Sequence, residues 1–335
     1  MRRIASTLLL ATLGACATTP MGLPPVSVTA AAETEPVGTA AADAADDPAI
    51  WRNAADPAQS LIVATDKKAG LYVYGLDGKT RHFAGGGLLN NVDLADMGAA
   101  GIIVIASDRN DPLAAKLQLY RLDPASAGLT LLGTVPTGAG EAYGVCLRRD
   151  GEQLLAYSVL KHGLIQELRL TFSGAPTAEP LRQLKLRTQT EGCVVDPLDG
   201  SLYVGEEDVG IWRFAPAATS GELVAPVDNR QLVADVEGLA LLREGTRAWL
   251  VASSQGDNSY AVFALPEVTP LGRFNIASGV FGSVEETDGI ELAGGSFGPD
   301  FPDGLLVAQD GHNLPAAQNF KLVSWAAIKA ALGIE

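Results

Sequence analysis

One stretch of this chain gathers more oxygen-bearing side chains than its surroundings. Glu191 stands at the entrance of a short apolar run, and Glu206, Glu207 and Asp208 stand at the exit of the next, with Pro197 and Asp199-Gly200 between them. An antiparallel hairpin brings those two places to the same end. Carboxylates crowded on one rim repel each other and call for a positive charge. Asp235, Glu237, Asp288 and Asp310 occupy equivalent positions in other runs, with neutral oxygens from Asn91 and Gln255. Such an oxygen-only set suits a hard cation of the calcium type. Lys67, Arg109 and Lys161 recur at the same kind of place. They could hold a phosphate group, and the guanidinium could do so in bidentate fashion. Calcium beside a basic clamp suits a polyphosphorylated anion, with a water activated for attack on phosphorus.

These residues need elements that carry them to one place. The chain repeats a unit of apolar strand, polar loop and apolar strand: 61–65 with 71–74, 102–106 with 117–120, 154–157 with 165–170, 202–204 with 211–214, 249–252 with 260–263, and 305–308 with 320–323. The units start roughly 41 to 56 residues apart, a spacing at or slightly above that of propeller blades. Asp-Gly turns at Asp77, Asp150 and Asp199 fall between strands. The expected fold is all-β, a six-bladed β-propeller. A further strand precedes each unit, beginning Asp47-Pro48, Asn91-Val92, Tyr143-Gly144, Glu191-Gly192, Glu237-Gly238 and Asp288-Gly289. These would be the innermost strands. Their polar first residues, and the loops with Lys67, Arg109, Lys161, Glu207, Gln255 and Asp310, form two rings around one channel mouth. Asp-Gly and Glu-Gly pairs also make ordinary turns, but six aligned polar entrances with acidic partners argue for a site.

Other chemistries find little support. No nucleophile–His–Asp set and no phosphate-binding glycine loop is present, and three histidines far from any cysteine pair do not make a zinc site. A net charge of −15 excludes nucleic acid as a natural partner. Arg2-Arg3, the apolar run 4–13 and Leu13-Gly14-Ala15-Cys16 resemble a bacterial lipoprotein leader. The expected organisation is a signal peptide at 1–15, a lipid-anchored tether from Cys16 through residue 42, and the propeller at 43–335. Cys16 would be acylated. An exported, monomeric protein of the cell envelope follows, on the outer membrane and touching the bilayer only through its anchor. Cys146 and Cys193 sit at apolar strand starts and read as buried free thiols, although an oxidising compartment permits a disulfide.

Asp46-Asp47-Pro48-Ala49-Ile50-Trp51, Asn90-Asn91-Val92-Asp93, Gln189-Thr190-Glu191-Gly192 and Asp235-Val236-Glu237-Gly238-Leu239 resemble the β-propeller phytases. So do Ser253-Ser254-Gln255-Gly256, Thr287-Asp288-Gly289 and Gln318-Asn319-Phe320-Lys321. The resemblance implies calcium-dependent release of phosphate from phytate, presented as its calcium complex, without a covalent phosphoenzyme. It assigns Lys67, Arg109, Tyr143 and Lys161 to phosphate contact. Glu191, Glu207, Asp235, Glu237, Gln255 and Asp288 go to a catalytic calcium cluster. Asp46, Asp47, Asn91 and Val92 would hold further calcium, partly through carbonyls. The chain departs from members in bacilli at three places: His162 and His312 replace glutamates, and Gly282 replaces an aspartate. The expected consequence is an altered or missing calcium site. Two rival readings are a calcium-dependent propeller lactonase or esterase and a non-catalytic envelope scaffold.

Overall fold

The computed structural model describes residues 21–40 and 43–335. It is the six-bladed propeller that the repeat predicts. From axis to rim, blade one is Ala45–Trp51, Leu61–Asp66, Gly70–Gly75 and Thr80–Gly85, and blade two is Leu89–Asp96, Ile102–Asp108, Ala114–Asp123 and Gly128–Ala139. Blade three is Ala142–Asp150, Gln153–Leu160, Leu164–Thr171 and Thr177–Lys185; blade four is Thr190–Val195, Leu202–Glu206, Gly210–Phe214 and Glu222–Pro226. Blade five is Val236–Glu244, Arg247–Ser254, Ser259–Ala264 and Thr269–Ala277. Blade six takes only Ile290–Ala293, Leu305–Asp310 and Asn319–Ser324 from its own stretch. Each inner strand touches the next around the axis, and the sixth touches the first.

Second strands are packed on both faces by neighbouring blades. This is why they read as unbroken apolar runs rather than alternating ones. One apolar cluster fills each junction between blades, as where Trp249 and Val251 of blade five meet Leu306 and Val323 of blade six and Trp325 just after it. Each fully buried side chain of this size contributes roughly 1.5–3 kcal/mol. Trp325–Leu332 forms a short helix after the last strand of blade six. Among the described residues no helix is long and apolar enough to cross a membrane.

Two expectations are corrected. The stretch assigned to a tether is partly structural: Val26–Thr29 pairs in parallel with the outer strand of blade five, and Ala32–Glu33 pairs antiparallel with Asn319–Ser324. That second strand supplies the missing fourth strand of blade six. Both pieces are too short to show a period. Residues 1–15 and Cys16 lie outside the described residues. Cys146 and Cys193 are not free thiols but a disulfide. They sit on the adjacent inner strands of blades three and four, with 5.7 Å between Cα atoms, within the span a disulfide bridges.

Candidate active site

The site begins with a defect repeated in five blades. The inner strand slips register where it enters from the channel mouth, between Ala45 and Pro48, Leu89 and Val92, Ala142 and Gly144, Thr190 and Cys193, and Val236 and Leu239. A bulge re-aims the side chain it carries, and these bulges carry Asp46-Asp47, Asn90-Asn91, Tyr143, Glu191 and Glu237. In blades three to five a glycine follows the polar residue, and it answers to packing rather than to a turn. A Cβ on Gly144 would lie 1.9 Å from the Glu191 carbonyl, and one on Gly192 1.9 Å from the Glu237 carbonyl. Strands this close at the axis admit no side chain. The turn reading of the Glu-Gly pairs therefore fails.

Three glutamates form the centre. Glu191, Glu207 and Glu237 each place an oxygen within 4.8 Å of the others. Burial, then the neighbouring carboxylates, push Glu191 and Glu237 well above the usual carboxylate range. Burial and Asp235 raise Glu207 to about 7, against a hydrogen bond from Gln189. Glu207 Oε1, Glu237 Oε2 and Asp46 Oδ1 are buried without a hydrogen bond. Asn90 Nδ2 donates to Glu191 Oε1 at 2.6 Å. Desolvated, unpartnered and mutually repelling carboxylates are costly unless a charge neutralises them. The donors are oxygens throughout, so the set fits a hard cation such as calcium.

The cations hold the other side. Lys67 Nζ lies 2.8 Å from Asp288 Oδ2 and 3.1 Å from Asp46 Oδ2, and also pairs with Asp43. Burial alone would lower the Lys67 pKa, but these carboxylates outweigh it and keep the ammonium charged. Burial raises Asp288 to about 7 despite that lysine, and Gln255 Nε2 donates to Asp288 Oδ1 at 2.7 Å. Tyr143 lies between two cations: Lys161 Nζ is 4.6 Å and the Arg109 guanidinium carbon 5.7 Å from its ring centroid. Burial, then Glu191, raise its phenol far above the ordinary value, so it remains a hydrogen-bond donor. Glu141 stands 3.6 Å from Arg109.

The expected residues do not all meet. Glu191, Glu207, Glu237, Asp288, Gln255, Asp46, Lys67, Arg109, Tyr143 and Lys161 surround the mouth. Asp235 borders it: its carboxylate helps raise Glu207, and its carbonyl accepts from Gln255 N–H at 3.0 Å. Asp47 turns down the channel, where its Oδ2 accepts from Val92 N–H at 3.0 Å. It lines a cavity of about 30 Å³ there with Asn91, Val92, Asp93 and Glu291. Asp310 stands apart, its carboxylate 3.1 Å from Lys321 Nζ. Glu206 is a structural anchor: burial would raise it, but hydrogen bonds from Thr188, Arg187 and Trp212 hold it below the usual range. Sequence reasoning missed Asn90, Asp43 and Glu141. Asn90 alone left a signal, as half of an Asn-Asn doublet at a strand entrance.

The profile of the Phytase family matches residues 2–335. The chain is also 36% identical over 327 residues to the 3-phytase of Bacillus subtilis (strain 168), covering 91% of this chain and 85% of that one. This chain belongs to the phytase family.

Two of the three departures from the bacillar pattern meet at Lys321. The ammonium is fully buried and held by Glu33 Oε2 at 2.6 Å, Asn319 Oδ1 at 2.9 Å and Asn313 Oδ1 at 3.2 Å, beside Asp310. A Cβ on Gly282 would lie 4.0 Å from Lys321 Nζ, and His312 N–H donates to Asp310 Oδ1 at 3.1 Å. A lysine neutralises this corner, in contrast to the unpaired glutamates at the mouth. His162 lies elsewhere, beside Lys161 and against Gly140.

Proposed function

We propose that this chain hydrolyses phosphate monoesters of phytate with calcium held by the mouth carboxylates, and that it works at the cell envelope on an acylated Cys16. The observation that carries the reading is the facing of Glu191, Glu207 and Glu237, within 4.8 Å of one another, by Lys67, Arg109 and Lys161 on the same rim. Neither a lactone nor a simple ester calls for three cations there. Glu191, Glu207, Glu237, Asp288 and Gln255 would hold calcium at the mouth, with Asp46 beside them. Asp47 with the Val92 carbonyl would hold it in the channel. When bound, calcium supplies the charge that offsets these carboxylates and polarises a water for attack on phosphorus.

The chain's own groups do the rest. Arg109 offers two parallel N–H donors to one phosphate, and Lys161 and the protonated Tyr143 add a charge and a hydrogen bond. Lys67 bridges the clamp to the carboxylates, with Asp46 and Asp288 fixing its ammonium. Water adds to phosphorus, the ester P–O bond breaks, and inositol phosphate and inorganic phosphate leave. The test is phosphate release from calcium phytate by the chain lacking residues 1–16, with and without chelator. Release that stops with chelation and returns with calcium supports the reading; release that survives chelation overturns it.

A further inference from the structure

The N-terminal segment fixes where the chain leaves the propeller. Gly22 N–H donates to Asp257 Oδ2 at 2.8 Å, and Leu23 N–H donates to the Arg230 carbonyl at 2.8 Å. The buried Arg273 donates to the Leu23 carbonyl at 2.6 Å and pairs with Asp257 at 2.6 Å. Asp257 follows Gln255 by two residues, in a loop at the mouth end of blade five. The exit is therefore on the catalytic face, at the junction of blades four and five. From Val26 onward the segment is a strand of the sheet.

Few residues separate that exit from Cys16: only 17–21 lie between Cys16 and Gly22. Fully extended at about 3.5 Å per residue, they span about 20 Å. A tether running to residue 42 would span about 90 Å by the same rule. A domain of this length has a radius of gyration near ~19 Å and is about 50 Å across. The longer tether would let the body take any orientation; the shorter one would not. Exposed apolar side chains lie at the exit and along the N-terminal segment. Met21 is 68% exposed, Leu23 is exposed, and Val280 is 93% exposed. Val280 belongs to a loop that abuts the N-terminal strand Val26–Thr29, since a Cβ on Gly279 would meet Thr29 Cγ2 at 3.0 Å.

We infer that the acylated chain rests the blade four–five rim of its catalytic face on the headgroups of the leaflet that holds its acyl chains. The inference depends on acylation of Cys16. The loops with Lys67, Arg109 and Lys161, on blades one to three, then lie on the far side of the mouth. Anionic substrate enters there from solution.

The test uses the acylated chain in zwitterionic vesicles with brominated tails, carrying a fluorophore at Val280→Cys or Leu198→Cys. Leu198 is 72% exposed and lies on the turn at the opposite end of blade four. The disulfide leaves Cys146 and Cys193 unreactive. At least threefold stronger quenching at 280 than at 198 is expected. About twenty Gly/Ser residues inserted after Ala17 make a flexible linker and should erase the difference while the protein stays with the vesicles. Equal or reversed quenching on vesicle-bound protein overturns the orientation and leaves the anchor standing. Protein that does not sediment with vesicles overturns the anchor, and the orientation with it.

Discussion

The two halves of the channel mouth are built on opposite electrostatic terms. Blades one to three carry Lys67, Arg109 and Lys161, and two of these already have partners: Lys67 in Asp43, Asp46 and Asp288, and Arg109 in Glu141. Blades four and five carry Glu191, Glu207 and Glu237, whose oxygens crowd together and are partly unpartnered. The cation half is folded ready for an anion. Burial and mutual repulsion push the glutamates of the carboxylate half above the usual carboxylate range, so this half favours a proton or a bound cation. The Lys321 corner marks the contrast: there the chain supplies its own positive charge.

Removing one carboxylate attacks the weaker half. Glu237→Gln keeps shape and hydrogen bonding but loses the charge, and phosphate release should fall by at least ~100-fold, on the scale of deleting one stabilising group from an active site. Steady-state kinetics at saturating calcium check this. On the cation half, Arg109→Lys keeps the charge and loses the fork. A loss of about 10-fold in kcat/KM, carried mostly by KM, is expected. An equal loss in kcat alone would show that Arg109 acts only in the transition state. Asn90→Ala removes the donor that orients Glu191. Supporting residues of metal ligands are typically worth 10–100-fold, and a loss near about 10-fold in calcium affinity, measured by titration calorimetry, is the expected result. The smallest effect on activity should come from Cys146→Ser with Cys193→Ser. Activity should remain, while unfolding by denaturant loses about 2–4 kcal/mol of stability.

The sequence shows the contrast unevenly, for physical reasons. Second strands packed on both faces leave apolar runs, so blade number and order are legible. The mouth residues are legible because each inner strand begins with one polar side chain. The reason for the following glycine is not legible, since it depends on the carbonyl of the next blade, as at Gly144 and Glu191. Asp310 misleads because its partner is on the neighbouring strand. Asp310 pairs with Asn319, which places Lys321 two residues along on the same side. The strap at Val26–Thr29 and Ala32–Glu33 is hidden because two to four residues carry no period. The disulfide is hidden because it joins two blades.

Proton exchange at the mouth gives the decisive measurement. Glu207 and Asp288 titrate near about 7 in the metal-free protein, above their values in an unfolded chain. A raised carboxyl favours the folded state while protonated, so the contribution of these two groups to metal-free stability should be complete below about pH 4 and be lost as pH rises to about 7. Calcium needs the deprotonated forms, so its affinity should rise over the same interval and binding should release protons. Titration calorimetry of calcium at pH 6, 7 and 8, in two buffers of different ionisation enthalpy, reads both quantities. The account predicts binding that tightens with pH, releases protons at pH 7, and weakens sharply in Glu237→Gln. Calcium binding that is absent, or that neither depends on pH nor responds to that substitution, would contradict it.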